Sequence, residues 1–210
     1  MGRWGTEFEP DRLAALETRM WKAYYRGEPA RLFGLLVLAL REQARVSWLR
    51  AIRASLLLTR AAAGFARAGG DYERFAPDIG RAYRLLGLPG DVDADDVGRR
   101  ELRWWVVRRE IGLTAGEAAG AAITDLYSAL YDLPPEHVRE AGRLRGRAAE
   151  VRDRGAATDP DGARGDGSAY WPEVARLLEE SYRRLRADLD GATAPTAGGT
   201  ALSDRPADGR

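Results

Sequence analysis

Apolar residues recur at intervals of three and four along most of this 210-residue chain, and the strict alternation typical of a β-strand is missing. In the first segment, about residues 10–26, the repeat consists of Leu13, Leu16, Met20, Trp21 and Tyr24. The spacing continues to about residue 190, with interruptions at stretches that contain glycine and proline. The sequence therefore predicts an all-α protein, most simply a single bundle of about seven helices.

The second segment, about residues 29–68, is the longest. A straight helix of this length would span on the order of 60 Å, so we expect this long central segment to bend or break near the polar patch from Arg41 to Arg45. Further along, the aspartates at 93–96 predict an N-terminal cap for the next helix. Thr114 and Glu117 predict a capping box for a helix rich in glycine and alanine, whose small side chains favour close packing against neighbours.

Three segments have compositions that favour flexible chain. Residues 1–9 precede the first periodic segment and are expected to be a flexible N-terminus, and the helical domain spans 10–190. The stretch GAATDPDGARGDGS, about residues 155–168, predicts a flexible connector within that domain. Residues 191–210 are rich in glycine, alanine and proline and are expected to form a disordered tail.

The composition excludes several classes of protein. Cysteine is absent, so disulfides and thiolate chemistry are excluded. The chain is arginine-rich, with Lys22 as its only lysine, but 33 basic residues face 32 acidic ones, which does not favour nucleic acid as a partner. The most apolar run, residues 32–40, is too short for a transmembrane segment, which needs about 20 residues. No secretory leader is recognisable, so a cytoplasmic location is expected.

Charged residues interrupt the apolar stripes. Glu101 and Arg108 lie one heptad apart on the helical side that carries Trp104 and Trp105. The other inward charges predicted from the pattern are Glu17, Arg41, Glu42 and Asp125. A buried charge without a partner costs several kcal/mol, so we expect these groups to pair across helices or to face a water-filled cavity.

Two functions fit this pattern. Structural ion pairs and Trp–Arg stacks explain it without a ligand, which narrowly favours a non-catalytic helical interaction protein acting on a protein partner or as a homo-oligomer. The alternative is a pocket for a small anionic ligand, such as a phosphate or carboxylate, in a binding protein or an enzyme. Its candidate residues are Glu17, Tyr24, Arg41, Glu101, Trp105, Arg108 and Asp125. No catalytic motif is present, so the sequence leaves the question of an enzyme open; in a catalytic version, Glu17 or Glu101 would accept a proton.

Neither a metal nor another cofactor is predicted. Carboxylates from four segments invite comparison with di-iron bundles, but those bundles use Glu-x-x-His pairs. The only histidine here is His137, and it lacks that spacing. Nearby arginines would also repel a cation.

A basic stripe gives a third hypothesis. Arg50, Arg53, Arg60 and Arg67 lie along one side of the second segment, and Trp48, Ala51, Leu58, Ala62 and Phe65 are expected on the opposite, core-facing side. The stripe is typical of a solvated outer helix face. The alternative function is peripheral binding to an anionic surface.

Overall fold

The computed structural model describes residues 5–159 and 168–193. All regular structure in these ranges is helical, which confirms the predicted all-α bundle. The α-helices are α1 (Pro10–Arg26), α2 (Pro29–Ala44), α3 (Trp48–Arg67), α4 (Ala76–Leu86), α5 (Ala94–Ile111), α6 (Gly116–Tyr131), α7 (Pro135–Thr158) and α8 (Trp171–Thr193). None of these helices is long and apolar enough to cross a membrane.

The eighth helix comes from a break in the long second segment. Arg45 adopts a left-handed conformation with a φ of 52°, which ends α2. Ser47 then caps α3, its side chain accepting a hydrogen bond from the Arg50 N–H at 3.5 Å. The predicted interruption of the long segment near Arg41 to Arg45 is therefore confirmed, and it is a break between two helices rather than a bend.

The two predicted caps have different outcomes. Asp93 caps α5 as predicted, and its carboxylate accepts a hydrogen bond from the Asp95 N–H at 2.9 Å. Thr114 does not cap α6, because it belongs to a short 3-10 turn, Gly112–Thr114. That turn moves the start of α6 to Gly116, so Ala115 occupies the cap position without a side-chain hydrogen bond.

Residues 5–9, which the sequence predicts to be a flexible N-terminus, pack against the bundle. Phe8 is fully buried, and its ring contacts the edge of Tyr182 with 6.0 Å between ring centroids. The Glu9 N–H donates to the Glu42 carboxylate at 3.1 Å. Burial of a complete aromatic ring contributes a free energy several times the thermal energy. Phe8 therefore holds this segment against α8.

The described parts of the predicted connector and tail are largely helical. Helix α7 continues through Thr158, so residues 155–158 are helical. Helix α8 continues to Thr193, so residues 191–193 are also helical. The remaining parts of the connector (160–167) and of the tail (194–210) lie outside the described residues.

Helices α6 and α7 pack with their backbones in close contact along a seam of glycines. A Cβ atom added at Gly146 would lie 2.4 Å from both the Gly116 carbonyl oxygen and the Gly120 nitrogen. A Cβ added at Gly142 would lie 2.8 Å from the Gly120 carbonyl oxygen. The expectation that small residues bring this helix close to a neighbour is confirmed.

We predict that Gly146→Ala destabilises the protein by about 1–3 kcal/mol, because backbone atoms of α6 must move to admit one methyl group. Gly34→Ala is the matched control. Gly34 is exposed in α2 with no atom within 4 Å of an added Cβ, so its replacement is expected to stabilise by about 0.5–1 kcal/mol. Urea denaturation measures both changes, and equal stabilities for the two variants would contradict the close seam.

Candidate functional site

A cavity of about 640 Å³, partly open to solvent, lies in the centre of the bundle. All eight helices contribute side chains to its lining, and most of the surface is apolar. The aliphatic lining includes Leu13, Leu32, Leu36, Leu40, Leu58, Leu126 and Leu130. Polar and aromatic side chains from α1, α5 and α7 complete it. Both the volume and this mixture are typical of a small-molecule site.

One spacing places the polar groups of three helices together. The inward stripes follow steps of four, three and four residues: Leu13, Glu17, Met20 and Tyr24 in α1; Val97, Glu101, Trp104 and Arg108 in α5; Ala141, Arg145, Ala148 and Arg152 in α7. Seven residues correspond to about 10 Å of helix. The polar side chains therefore form two layers, which we name the glutamate layer (Glu17, Glu101, Arg145) and the arginine layer (Tyr24, Arg108, Arg152).

Glu17 is the centre of the glutamate layer. It is 4% exposed, and its Oε1 accepts hydrogen bonds from the Arg145 Nε at 2.9 Å and Nη2 at 2.6 Å. The Trp21 indole also donates to Oε1 at 3.1 Å, and the Tyr182 hydroxyl donates to Oε2. Burial alone would lower the pKa of Arg145, but Glu17 and the neighbouring tyrosines raise it well above its ordinary value. Both carboxylate oxygens of Glu17 therefore have hydrogen-bond donors from other side chains.

Glu101 differs from Glu17 because its hydrogen-bond donors are neutral. The indoles of Trp104 and Trp105 both donate to Oε1 at 3.1 Å, and the Tyr83 hydroxyl donates to Oε2 at 3.0 Å. Burial, followed by the effect of Glu101, raises the pKa of Tyr83 well above its ordinary value, so Tyr83 keeps its proton and remains a donor. The two adjacent tryptophans thus line the cavity and hold the carboxylate of their own helix.

In the arginine layer, two arginines share one carboxylate. Arg108 donates to Asp153 through Nε at 2.7 Å and through Nη2 at 2.8 Å. Arg152 donates to the same Asp153 through Nη1 at 2.9 Å. The guanidinium of Arg108 also lies over the rings of Trp21 and Tyr25, at 5.2 Å and 5.6 Å from their centroids.

A third arginine, Arg109, lies at the same end of the cavity. It donates to the carbonyls of Phe65 at 2.5 Å and Ala68 at 3.0 Å, and it stacks on the Phe65 ring. Burial raises the pKa of the Tyr24 hydroxyl, with a further rise from Tyr25, whereas Arg109, Arg108 and Arg152 all act to lower it. Three guanidinium groups are therefore close enough to this hydroxyl to act on its pKa, and two of them, Arg108 and Arg152, are bonded to Asp153.

Five of the residues predicted from the sequence line the cavity: Glu17, Tyr24, Glu101, Trp105 and Arg108. Arg41 lies elsewhere, since its guanidinium stacks on Trp48 at 3.9 Å from the ring centroid. Asp125 is exposed, so the expectation that it turns inward is wrong. Its neighbours Leu126 and Tyr127 are buried, and consecutive residues of a helix point about 100° apart, so adjacency in the chain does not place Asp125 on their face.

The sequence interpretation missed Arg145, Arg152, Asp153, Tyr83 and Tyr182, which all line the cavity. For two of them a signal existed. Arg145 and Arg152 occupy the inward stripe of α7, in step with Ala141 and Ala148, and they have the same heptad spacing as Glu101 and Arg108. Many other arginines in α7 hide this signal.

The basic stripe is only partly as expected. Arg50, Arg53 and Arg67 are exposed, whereas Arg60 donates to the buried Asp78 at 2.6 Å. Trp48 is 54% exposed, so its predicted place on the core-facing side of the helix is wrong. Trp48 is in the first turn of α3, where Arg41 of α2 covers one side of the indole.

Metal-binding side chains do not cluster in the described ranges 5–159 and 168–193, where no group of three or more histidine or carboxylate residues could hold an ion. His137 is exposed at the start of α7.

Comparison of the chain with protein-family models, with curated proteins and with solved structures finds no match. The chemistry of the cavity is therefore the basis for a functional assignment.

We predict strong coupling between Glu17 and Arg145 in a double-mutant cycle. Glu17→Gln or Arg145→Met alone leaves the partner charge buried and unpaired, which is expected to destabilise by about 3–5 kcal/mol. The double variant should be much more stable than the sum of the two losses implies. Denaturation in urea measures all four proteins, and additive losses would contradict the pairing.

The exposed pair Glu173 and Arg176 provides the control cycle. Water solvates both of these groups, so replacing either with alanine is expected to give no measurable coupling.

Proposed function

We propose that the protein is a non-catalytic binding protein for a small amphipathic molecule with an apolar body and one anionic group. The observation that supports this most directly is the cavity of about 640 Å³ with three arginines at one end. This function is the alternative that the sequence left open. A non-catalytic interaction protein and a cytoplasmic location remain predictions from the sequence.

The lining of the cavity favours a ligand with an apolar body. Leucines of α1, α2, α3 and α6 line the cavity, together with Phe65 and three indoles, and most of its surface is apolar. Each apolar group that moves from water to this surface contributes about 25 cal/mol per Å² of buried area. A ligand with an extended polar body would lose its hydration there without gaining partners.

The charge balance around the arginine layer favours an anionic group on the ligand. Arg108, Arg109 and Arg152 contribute three positive charges, and Asp153 neutralises one of them. Arg109 is bonded to backbone carbonyls, which do not neutralise it. A carboxylate or phosphate at this end would form charge-assisted hydrogen bonds with these guanidinium groups.

Binding is favoured over catalysis because the two carboxylates of the cavity are already engaged. Both oxygens of Glu17 accept hydrogen bonds. Oε1 accepts two from the Arg145 guanidinium, and Oε2 accepts one from the Tyr182 hydroxyl. Glu101 accepts from three donors on its own and a neighbouring helix. A general base must have a lone pair directed at the proton that it removes, and four hydrogen bonds to Glu17 and three to Glu101 leave little of either carboxylate for that role.

Two fluorescent probes with the same aromatic body test the anionic preference. We predict that anilinonaphthalene sulfonate binds roughly tenfold or more tightly than the neutral phenylnaphthylamine, since one charge-assisted bond contributes about 1.5–3 kcal/mol. Arg108→Gln should remove most of this preference, and Arg143→Gln, at an exposed arginine, should not. Equal affinities of the two probes for the unaltered protein would contradict an anionic site.

The place of binding is tested by filling the cavity. Ala62 lines it, whereas the adjacent Ala63 lies outside the lining. We predict that Ala62→Phe abolishes binding of anilinonaphthalene sulfonate and that Ala63→Phe leaves it within about twofold, because only the first ring enters the space where the apolar body would lie. Titrations should use variants that unfold cooperatively, since a molten globule also binds this probe. Full binding by a folded Ala62→Phe protein would place the probe elsewhere.

A further inference from the structure

The outer side of α3 carries a cluster of exposed apolar side chains. In the described part of the chain, seven large apolar side chains are exposed, and four of them lie in the first nine residues of α3. These are Trp48 (54% exposed), Leu49 (57%), Ile52 (37%) and Leu56 (57%), which we name the α3 face. So many exposed apolar residues on two turns of helix indicate a surface that another body covers.

The geometry of the α3 face is that of a continuous ridge. Trp48, Ile52 and Leu56 follow at intervals of four, so they form one row about 12 Å long, and Leu49 lies beside it. The opposite side of α3 is buried through Ala51, Ala54 and Ala61. In its first nine residues α3 gives only small side chains to the core, and packing among the described residues does not account for the large outer ones.

The α3 face has cations around it and no acidic residue in its own segment. Residues 43–70 contain five arginines and neither aspartate nor glutamate. Arg50 and Arg53 are exposed in α3, and Arg41 of α2 stacks on Trp48. Arg60 is the exception, because Asp78 of α4 binds it. Exposed indole and leucine side chains between arginines are typical of helices that lie in the headgroup region of an anionic bilayer.

We infer that the α3 face binds the surface of an anionic lipid bilayer, with α3 lying parallel to the membrane plane. The apolar side chains enter the boundary between headgroups and acyl chains, and the arginines contact lipid phosphates. A second copy of the chain fits less well, since a two-fold contact through this face would bring two sets of arginines together. Nucleic acid would neutralise the arginines but leave the apolar ridge in water. The inference is independent of the ligand proposed for the cavity.

The test uses the full chain and flotation with unilamellar vesicles of phosphatidylcholine, with or without about 30% phosphatidylglycerol. The unaltered protein is expected to float with the anionic vesicles, and to do so less in about 0.5 M salt. Leu49→Ser with Leu56→Ser should lower the partition coefficient on the order of tenfold, because two apolar side chains no longer enter the bilayer. Arg50→Glu with Arg53→Glu should have at least as large an effect, since both charges are reversed.

The control variant, Arg19→Glu with Arg139→Glu, makes the same change of net charge at exposed positions of α1 and α7. It should retain most of the binding. The replaced side chains are exposed in every variant, so thermal unfolding should remain close to that of the unaltered protein, which separates loss of binding from loss of fold.

Three results would overturn the inference. The first is vesicle binding that is unchanged by the paired serine substitutions. The second is a dimer in light scattering that these substitutions convert to a monomer, which would assign the α3 face to a second copy. The third is retention of duplex DNA, but not of anionic vesicles, with loss of that retention on reversal of Arg50 and Arg53.

Discussion

Ionised side chains in the interior of this bundle must be paired, and that requirement determines how its helices are arranged. Glu17 lies among apolar side chains at 4% exposure, where an isolated carboxylate would be unstable by several kcal/mol. Its partner Arg145 is 128 residues further along the chain. The bond between them fixes the rotation and the height of α1 relative to α7. Because α5 repeats the same spacing, Glu101 and Arg108 then fall into the same two layers.

The layers also explain why a cavity remains at the centre. Guanidinium and indole groups are planar and need particular partners, so they do not fill space as interdigitating leucines do. Arg145 lies over Trp104, and Arg108 lies over Trp21. These stacks hold the guanidinium and indole groups against the wall of the cavity. The space between the layers and the leucines of α2 and α3 is left open, with a surplus of positive charge at one end.

Features that depend on local chain geometry could be predicted from the sequence, and features that depend on contacts between helices could not. Periodicity within one helix predicted the bundle and the inward positions of Glu17, Glu101 and Arg108. The partner of each depends on how neighbouring helices rotate, so Arg145 and Asp153 were missed as partners. Asp125 was misplaced because one residue of shift on a helix turns a side chain by about 100°. The buried Phe8 had no periodic context to indicate that it packs on α8.

The glycine seam between α6 and α7 has a mechanical consequence. At Gly120 and Gly146 backbone atoms of the two helices touch directly, so at these points no side chain could change rotamer and let one helix slide past the other. The two helices therefore behave as one stiff plate. Tyr127 belongs to α6 and Arg145 to α7, so main-chain contact between the two helices sets the distance between these side chains. Any deformation of the cavity must then occur in the helices opposite α6 and α7, while the wall formed by α6 and α7 keeps its shape.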